Sequence, residues 1–501
     1  MTDPVSTSIS MPWSNLAVPL PLVSPKAPCK PFSNNRPPLW ANNSPVPTAD
    51  GLVPYAARNA PSRFRAHNCN KVNRFATVPT AAGTFSPQRP ILRLDGHGYS
   101  PSLLQKIITA GGRLHSYADA AFALSLSDLS ISARHVQQLT QEVGTDLARA
   151  RDEQAQKRRR RELPPRVTTT PEVVAVEVDG GRLRTRATDS GRGVHAAENK
   201  EDKIASLVTL ASVTHAEDPQ PEPPSSLVQP RRIQRLVQQM AGQASDPLAG
   251  VDTPPREPEA DEEMATPTAA VGDAEAEPWA PRRLVRTCVA SMVASRSFGP
   301  LMAAEAQSRD FFAARRRAFV ADGQAYNWSI HRGYFADFVP IVDLLHVICY
   351  LFKTAQAVAA ESERWPLYLR WLRSCWQGQA AEVVTQMERY QQTWGRPPPG
   401  EELAATDPRR VLAEALRYLR NNAERMDYPR YRREGLPTTS SLVESLVGEF
   451  NARVKGKQKF WNRPAGAEAV LQVRAALLSE DGRLERYFAQ RPGSPYRRRA
   501  V

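Results

Sequence analysis

The spacing of apolar positions changes several times along the chain, and each change marks a different kind of element. Between residues 1 and 96 no period of 2 or 3.6 is visible. Segments such as VPLPLVSPKAPCKPF and NNRPPLWANNSPVP are built from Pro, Ser, Asn and Ala, a composition that buries too little apolar surface to offset the entropy of ordering. Residues 1–96 are therefore expected to form a disordered tail. From 99 to 150 the pattern becomes helical. Leu103, Leu104, Ile107 and Ile108 suit one short helix. The stretch SYADAAFALSLSDLSISARHVQQLTQEVGTDLARARDE then reads as two helices around a turn, with Ser116 placed to cap the first and Ser130 or Ser132 the second. The second carries Val136, Leu139, Val143 and Leu147 at helical spacing and leaves Arg134, His135, Gln137 and Gln138 outward. This is the pattern of a helix-turn-helix, and residues 97–165 are expected to be a small helical DNA-binding domain.

A strand pattern begins near 171. VVAVEVDGGRLRTR reads as two strands around Asp179-Gly180-Gly181, and SLVTLASVTH, 206–215, as a third, an antiparallel start to a sheet. RRIQRLVQQMAG reads as a helix, and residues 282–315 also read as helical. FVADG is a short strand ending at Asp322, and FVPIVD another ending at Asp343. LLHVICYLFKTAQAVAA is a buried helix, and helices continue through 361–426, broken at WGRPPPGEE. Thr438 or Thr439 is expected to cap SSLVESLVGEFNARVKG, and RPAGAEAVLQVRAALLSE is the last long helix. Residues 246–280 are rich in Pro, Asp and Glu and interrupt the alternation as an acidic linker.

Composition narrows the class of partner. The chain has 501 residues, with Lys and Arg at 66 against Asp and Glu at 52, a formal charge of +14. That balance favours a polyanion, nucleic acid first. Five scattered cysteines, Cys29, Cys69, Cys288, Cys349 and Cys375, give neither a disulfide framework nor a zinc ribbon. The most apolar run, FVPIVDLLHVICYLF, is broken by Asp343 and His346 and is too short and polar to span a bilayer. The start MTDPVSTSISMPW lacks a secretory pattern. A soluble, intracellular protein that binds DNA and not membrane is expected.

The candidate chemistry lies in acids at strand ends. Asp179, Asp322 and Asp343 each close a strand-like run, and Glu444 falls within the first turns of a capped helix. Hard cations such as Mg²⁺ take carboxylate oxygens, and two of them about 3.5–4 Å apart can activate an attacking oxygen and stabilise a leaving one. The structural alternative is that Asp-Gly forms a turn after a strand, which applies to Asp179 and Asp322 but not to Asp343. His346 follows Asp343 by one helical turn, either as a buried structural histidine or as part of the site. Basic residues flank Glu444: Arg432 and Arg433 before it, and Arg453, Lys455, Lys457 and Lys459 after it, with Trp461 among them. They read as phosphate contacts with a stacking aromatic, or else as a solvated helix end anchored by a core tryptophan. Arg158 and Arg159, in the run 157–161, could track phosphates beside the helical pair.

Taken in order, VEVDGGRLRTR, HAAENKEDKIASLVTL, FVADGQAYNWSIH, IVDLLH and YRREGLPTTSSLVESLVGEFNARVKGKQKFW make residues 171–501 resemble a DDE-type transposase of bacterial insertion sequences, of Kra type and distantly Mutator-like. The resemblance implies an α/β fold: an RNase H-like catalytic domain over 170–501 with an all-helical insertion at 347–430. It implies Asp179, Asp322 and Glu444 as metal ligands for two Mg²⁺ or Mn²⁺ ions, and Asp343 and His346 as a signature pair at the site. Asp343 remains an alternative to Asp322 as the second ligand. The activity implied is DNA cleavage at element ends and strand transfer into target DNA, by a homo-oligomer in the bacterial cytoplasm, at the nucleoid. A non-catalytic DNA-binding descendant, or a nuclease without strand transfer, are the other readings.

Overall fold

A run of six consecutive buried residues, Val173–Val178, sets the centre of the molecule. Such a run, without alternation, belongs in a strand covered on both faces. The computed structural model describes residues 78–80, 83–85, 99–186, 197–244, 279–456 and 459–491, all within the unit that spans 63–501. The acidic stretch 246–278 and most of 1–96 lie outside the described residues. Within 1–96, β1 (Val78–Thr80) pairs antiparallel with β2 (Gly83–Phe85), so the expected featureless tail contains one small hairpin.

Three helices follow: α1 (Pro101–Arg113), α2 (Tyr117–Ser125) and α3 (Ala133–Arg159). Ser116 and Asp119 form a reciprocal capping box on α2, and Ser132 caps α3 by accepting from the N–H of His135. The central sheet is mixed. Its strands are β3 (Val173–Arg186), β4 (Ala197–Ala211), β5 (Arg282–Ser291), β6 (Arg316–Ala321) and β7 (Val339–Val342). The order across it is β5-β4-β3-β6-β7, with β3–β4 and β4–β5 antiparallel and β3–β6 and β6–β7 parallel. The helices are α4 (Pro230–Ala244), α5 (Ser295–Ser308), α6 (Ala325–Tyr334) and α7 (Leu344–Val358), then α8 (Glu361–Trp376), α9 (Ala380–Trp394), α10 (Pro408–Asn422) and α11 (Tyr428–Arg433). The chain closes with α12 (Ser441–Val454), α13 (Pro464–Leu478) and α14 (Arg483–Gln490). This is a mixed α/β fold, and no described helix is long and apolar enough to cross a membrane.

Two sequence expectations are corrected. Asp179-Gly180-Gly181 is no turn: β3 runs straight through it, in register with β4 from Val173↔Leu210 to Arg186↔Ala197. The backbone of β4 and the Asp202 carboxylate come close here: a Cβ at Gly180 would stand 3.0 Å from the carbonyl oxygen of Asp202, and one at Gly181 2.9 Å from its Oδ1. Residues 282–291 form the edge strand β5 rather than helix. Its inner half is buried without alternation, and a short continuous apolar run does not distinguish strand from helix.

Three cores hold these layers. The largest joins β3, β6 and β7 to α5, α7, α8 and α10. A second places α12 and α13 against Leu183, Ile204, Cys288 and Ala290. The third packs Ile107, Ile108, Val136, Leu139 and Val143 of the N-terminal helices against Val473 and Ala476 of α13 and Leu484 and Phe488 of α14. Helices from the two ends of the described chain therefore share one hydrophobic interior.

At the crossing of α3 and α13 only a glycine fits, because a Cβ at Gly144 would lie 2.1 Å from the carbonyl oxygen of Ala469. Gly144→Ala gains about 1 kcal/mol of helix propensity, but backbone must move to admit it. A net loss of about 2 kcal/mol or more in urea unfolding is expected. Gly448→Ala in α12, with nothing within 4 Å of the added carbon, should be neutral or stabilising in the same assay.

Candidate active site

The parallel register aligns the three aspartates. Val178 pairs with Ala321, and Ala321 with Val342. Asp179, Asp322 and Asp343 therefore occupy the next position on three adjacent strands, and the N–H of Asp343 continues the ladder to the carbonyl of Ala321 at 2.8 Å. Asp179 pairs with Ile204, so its side chain leaves the sheet on the face that α12 covers. That helix carries Glu444 in its first turns. The side chain of Glu444 lies outside what the structure describes.

The three carboxylates differ in their surroundings. Asp343 is fully buried. Its Oδ1 accepts from the backbone N–H groups of Leu345 at 3.1 Å and Ser440 at 3.0 Å, and its Oδ2 lies 2.7 Å from His346 Nδ1. Burial alone would raise its pKa, but the His346 bond and charge and the two N–H groups outweigh it and hold it below the usual carboxylate range. Asp322 is also buried. Its Oδ1 accepts from the N–H of Gln324 at 3.0 Å and from Asn327 Nδ2 at 2.8 Å. Asp179 takes one bond on Oδ1, from the N–H of Gly180 at 2.6 Å. Burial, and next the negative charge of Asp322, push its pKa up to about 6, with Asp343 adding to the rise and His346 and Gly180 opposing it. Among the described residues no hydrogen bond reaches Oδ2 of Asp179 or of Asp322.

Neighbouring residues shape the site, and sequence reading passed over them. Gly323 has φ +89°, and a side chain there would meet Tyr418 at 2.7 Å, so glycine follows Asp322 on two independent grounds. The Tyr418 hydroxyl donates to the carbonyl of Asp322 at 3.0 Å, bringing α10 of the helical segment to the site. Tyr326 lies close enough to Asp322 and Asp179 that burial, with their charges adding, lifts its phenol well above the usual range. Asp202, opposite Gly181 on β4 and so on the same face as Asp179, is fully buried. Neither of its oxygens has a hydrogen-bond partner, and burial raises its pKa to about 6 against the pull of Lys455. The signal available in sequence was only that Asp202 and Tyr326 lie within the quoted motif segments. Among the described residues no three His, Cys, Asp or Glu side chains form a ready metal-holding group.

The expected DNA contacts divide by burial. Arg134, Gln138 and Arg159 are exposed, while Gln137, Arg433 and Lys455 are half-buried. Three assignments are corrected. Arg432 is fully buried, paired with Asp218 and lying 4.1 Å over the ring of Trp376, and so is committed to the core. Arg453 is buried, donates to the carbonyl of Gly111 at 2.9 Å and sits 4.5 Å over the ring of Tyr117. Trp461 is buried in the second core and donates from Nε1 to the carbonyl of Val454 at 3.0 Å, so it anchors the segment rather than offering a face. Arg158 lies 5.1 Å over the ring of Phe312, at the far end of α3 from Arg134. Lys459 donates to the carbonyls of Ala452 and Arg453, and burial first, then Arg453 and Arg474, lowers its pKa to about 8. Lys457 lies outside the described residues.

No protein-family model matches the chain, and no curated protein is significantly similar to it.

The raised pKa of Asp179 has a measurable consequence. Because the folded pKa, about 6, exceeds the ordinary 3.8, the folded state holds the extra proton, and the parent loses stability as pH rises from about 4 to 6. Asp179→Asn should therefore unfold at higher denaturant at pH 7.5, by up to about 3 kcal/mol, with the gain shrinking below pH 6 and fading by about pH 4. Asp343→Ala should do the reverse: with the buried N–H groups of Leu345 and Ser440 stranded and the His346 bond lost, a loss of about 3 kcal/mol is expected in the same titration.

Proposed function

We propose that the chain is a metal-dependent DNA strand-transfer enzyme, a transposase with an RNase H-like core. The observation that carries this reading is the row of Asp179, Asp322 and Asp343 at one edge of three parallel strands, beside the helix that bears Glu444. The sheet order, three antiparallel strands extended by two parallel ones, and the resemblance of the acid-bearing segments support it.

Asp179 and Asp322 are the better pair of ligands, joined by Glu444, because Asp343 is already engaged by three donors. Burial first, and then the negative charge of Asp322, raise Asp179, and a bound dication would offset both by favouring the charged carboxylate. Two ions such as Mg²⁺ or Mn²⁺, once bound, supply neutralisation of the phosphate and a lowered pKa for the attacking water. The protein's own groups do the positioning. Gln324 and Asn327 fix the Asp322 carboxylate by two bonds on one oxygen. His346 and Ser440 fix Asp343, and with it the start of α12. In the first step a water oxygen bonds to phosphorus, the P–O3′ bond breaks, and the departing 3′ oxygen takes a proton. In the second that 3′-hydroxyl attacks a target phosphodiester, loses its proton, and displaces the target's own 3′ oxygen, so the number of phosphodiester bonds is conserved. Fixed geometry and charge, rather than covalent chemistry by the protein, account for the rate.

Glu444→Gln retains size and hydrogen bonding but removes charge. The variant should fold and bind labelled duplex like the parent, yet lose cleavage and joining by at least about 100-fold. In thermal melts, Mn²⁺ should raise the parent's Tm and leave Asp179→Asn, Asp322→Asn and Glu444→Gln almost unmoved. Full cleavage by Glu444→Gln would remove it from the ligand set. Tight DNA binding by the parent with no cleavage in either metal would favour a binding protein without catalysis.

A further inference from the structure

A cavity of about 530 Å³ lies between α4, α7 and the start of α10, and no residue of the acid row lines it. Cavities that hold small organic molecules are roughly 300–1,000 Å³, apolar over most of their lining and polar at a few points. This one has that make-up. Val237 of α4, Phe352 and Ala357 of α7 and Val411 of α10 supply apolar surface. Lys353 and Gln356 of α7, Thr406 before α10, and Arg410 and Glu414 within it supply the polar points.

The charges among them are unequal. Glu414 is the one carboxylate in the lining, and it is already engaged, since Arg410 donates to it from Nε at 3.0 Å. Arg410 also donates from Nη1 to the carbonyl of Leu403 at 2.9 Å. Lys353, by contrast, forms no ion pair among the described residues. A cationic occupant would compete with Arg410 for Glu414, whereas an anionic group meets an ammonium that has no other claim on it. Lys353 is exposed, so that group would sit at the rim, with an apolar body inside.

The shape of that body follows from Tyr350. One face of its ring is stacked on Tyr418, with centroids 4.0 Å apart and planes 21° from parallel. Since Tyr350 also lines the cavity, it turns its other face or its hydroxyl edge inward, and a flat ring packs well against either. Burial, and next the charge of Glu414, raise its phenol above the ordinary value, so the hydroxyl keeps its proton and can donate.

The walls are set without an occupant. Tyr418 donates to the carbonyl of Asp322 at 3.0 Å, which ties the floor to the end of β6. Asp407 caps α10 by accepting from the N–H of Arg409 at 2.9 Å and holds the Arg409 side chain as well. On the far side, Cys349 of α7 meets Met240 of α4, sulfur to sulfur at 3.1 Å. A cavity fixed in this way spends little of its binding energy on ordering the protein.

We propose that this cavity binds a small, planar aromatic molecule carrying an anionic group, either an aryl carboxylate or a nucleoside phosphate, with the ring against Tyr350 and the anionic group at Lys353. The inference does not depend on the function proposed above.

The full chain is titrated with anilinonaphthalene sulfonate, a flat aromatic anion whose emission rises in apolar surroundings, at low salt and without divalent metal. Saturation at one equivalent is expected. Lys353→Ala should weaken binding about 5-fold or more. Ala405→Trp, which brings an indole into the cavity from an exposed loop position, should abolish it. Both variants should melt like the parent, because both positions are exposed. Phe122 and Leu126, 67% and 74% exposed on and beside α2, are another apolar surface open to the probe, so Phe122→Ser/Leu126→Ser is titrated beside them and should bind like the parent. Adenosine monophosphate and salicylate are then tested as competitors at matched ionic strength. Displacement by the first assigns the site to nucleoside phosphates, and by the second to aryl carboxylates. Absence of saturable binding, full binding by either Lys353→Ala or Ala405→Trp, or loss of binding in Phe122→Ser/Leu126→Ser would each overturn the proposal. So would displacement by neither competitor, or binding of uncharged phenylnaphthylamine as tight as that of the sulfonate.

Discussion

The Asp343 carboxylate is the joint on which the candidate site depends. It is wholly buried, and through one group it binds the first turn of α7, the ring of His346 and the N–H of Ser440. Its own N–H extends the β6–β7 ladder. A strand end, the helix that follows it and the start of a helix a hundred residues on are thereby fixed to one another. Buried, ionised and fully bonded carboxylates tolerate little displacement, because each lost bond leaves a desolvated group unpaired. The acids beside it are the opposite case. Asp179 is crowded by like charge and carries only one described bond. Asp343 is fully bonded and Asp179 is not, one strand to either side of Asp322, so the row pairs a rigidly held carboxylate with one whose charge is poorly compensated.

That rigidity extends to the N-terminal helices. A 27-residue helix is about 40 Å long, and α3 puts Arg134 at one end and the 157–161 basic run at the other. The two clusters of positive charge near the start of the described chain are therefore separate features, while Arg134 and Lys459, remote in sequence, share a groove. The third hydrophobic core explains how: α1–α3 have no interior of their own apart from α13 and α14.

How much of this could be read in the sequence depended on what kind of signal carried it. Helix caps at Ser116 and Ser132 are local chemistry and were legible. The strand ends at Asp322 and Asp343 were legible because buried runs stop there. β5 was not, since a buried edge strand with Cys288, Val289 and Ala290 in succession has no period to read. The turn expected at Asp179 failed for a different reason. Asp-Gly-Gly fits a hairpin locally, but pairing of β3 with β4 as far as Arg186 overrode it. For basic residues, sequence gives charge and not burial, so Arg432 and Arg453, which hold the core, looked the same as Lys455. The site's supporting shell of Tyr326, Asn327, Tyr418 and Asp202 is assembled from elements that meet only in three dimensions.

The helical segment between β7 and α12 leaves and rejoins the sheet at almost the same point. The N–H of Leu344 donates to the carbonyl of Thr438 at 3.1 Å, and Ser440 is bound to Asp343. With its entrance and exit clasped together, the excursion is a closed loop on the rest of the fold. The entropy of closing such a loop grows only with the logarithm of its length, about 0.6 kcal/mol per doubling. Lengthening the connection between α9 and α10 would therefore cost little, whereas α8 and α10 themselves are held, because they pack on β3, β6 and β7 and Tyr418 of α10 donates to the carbonyl of Asp322.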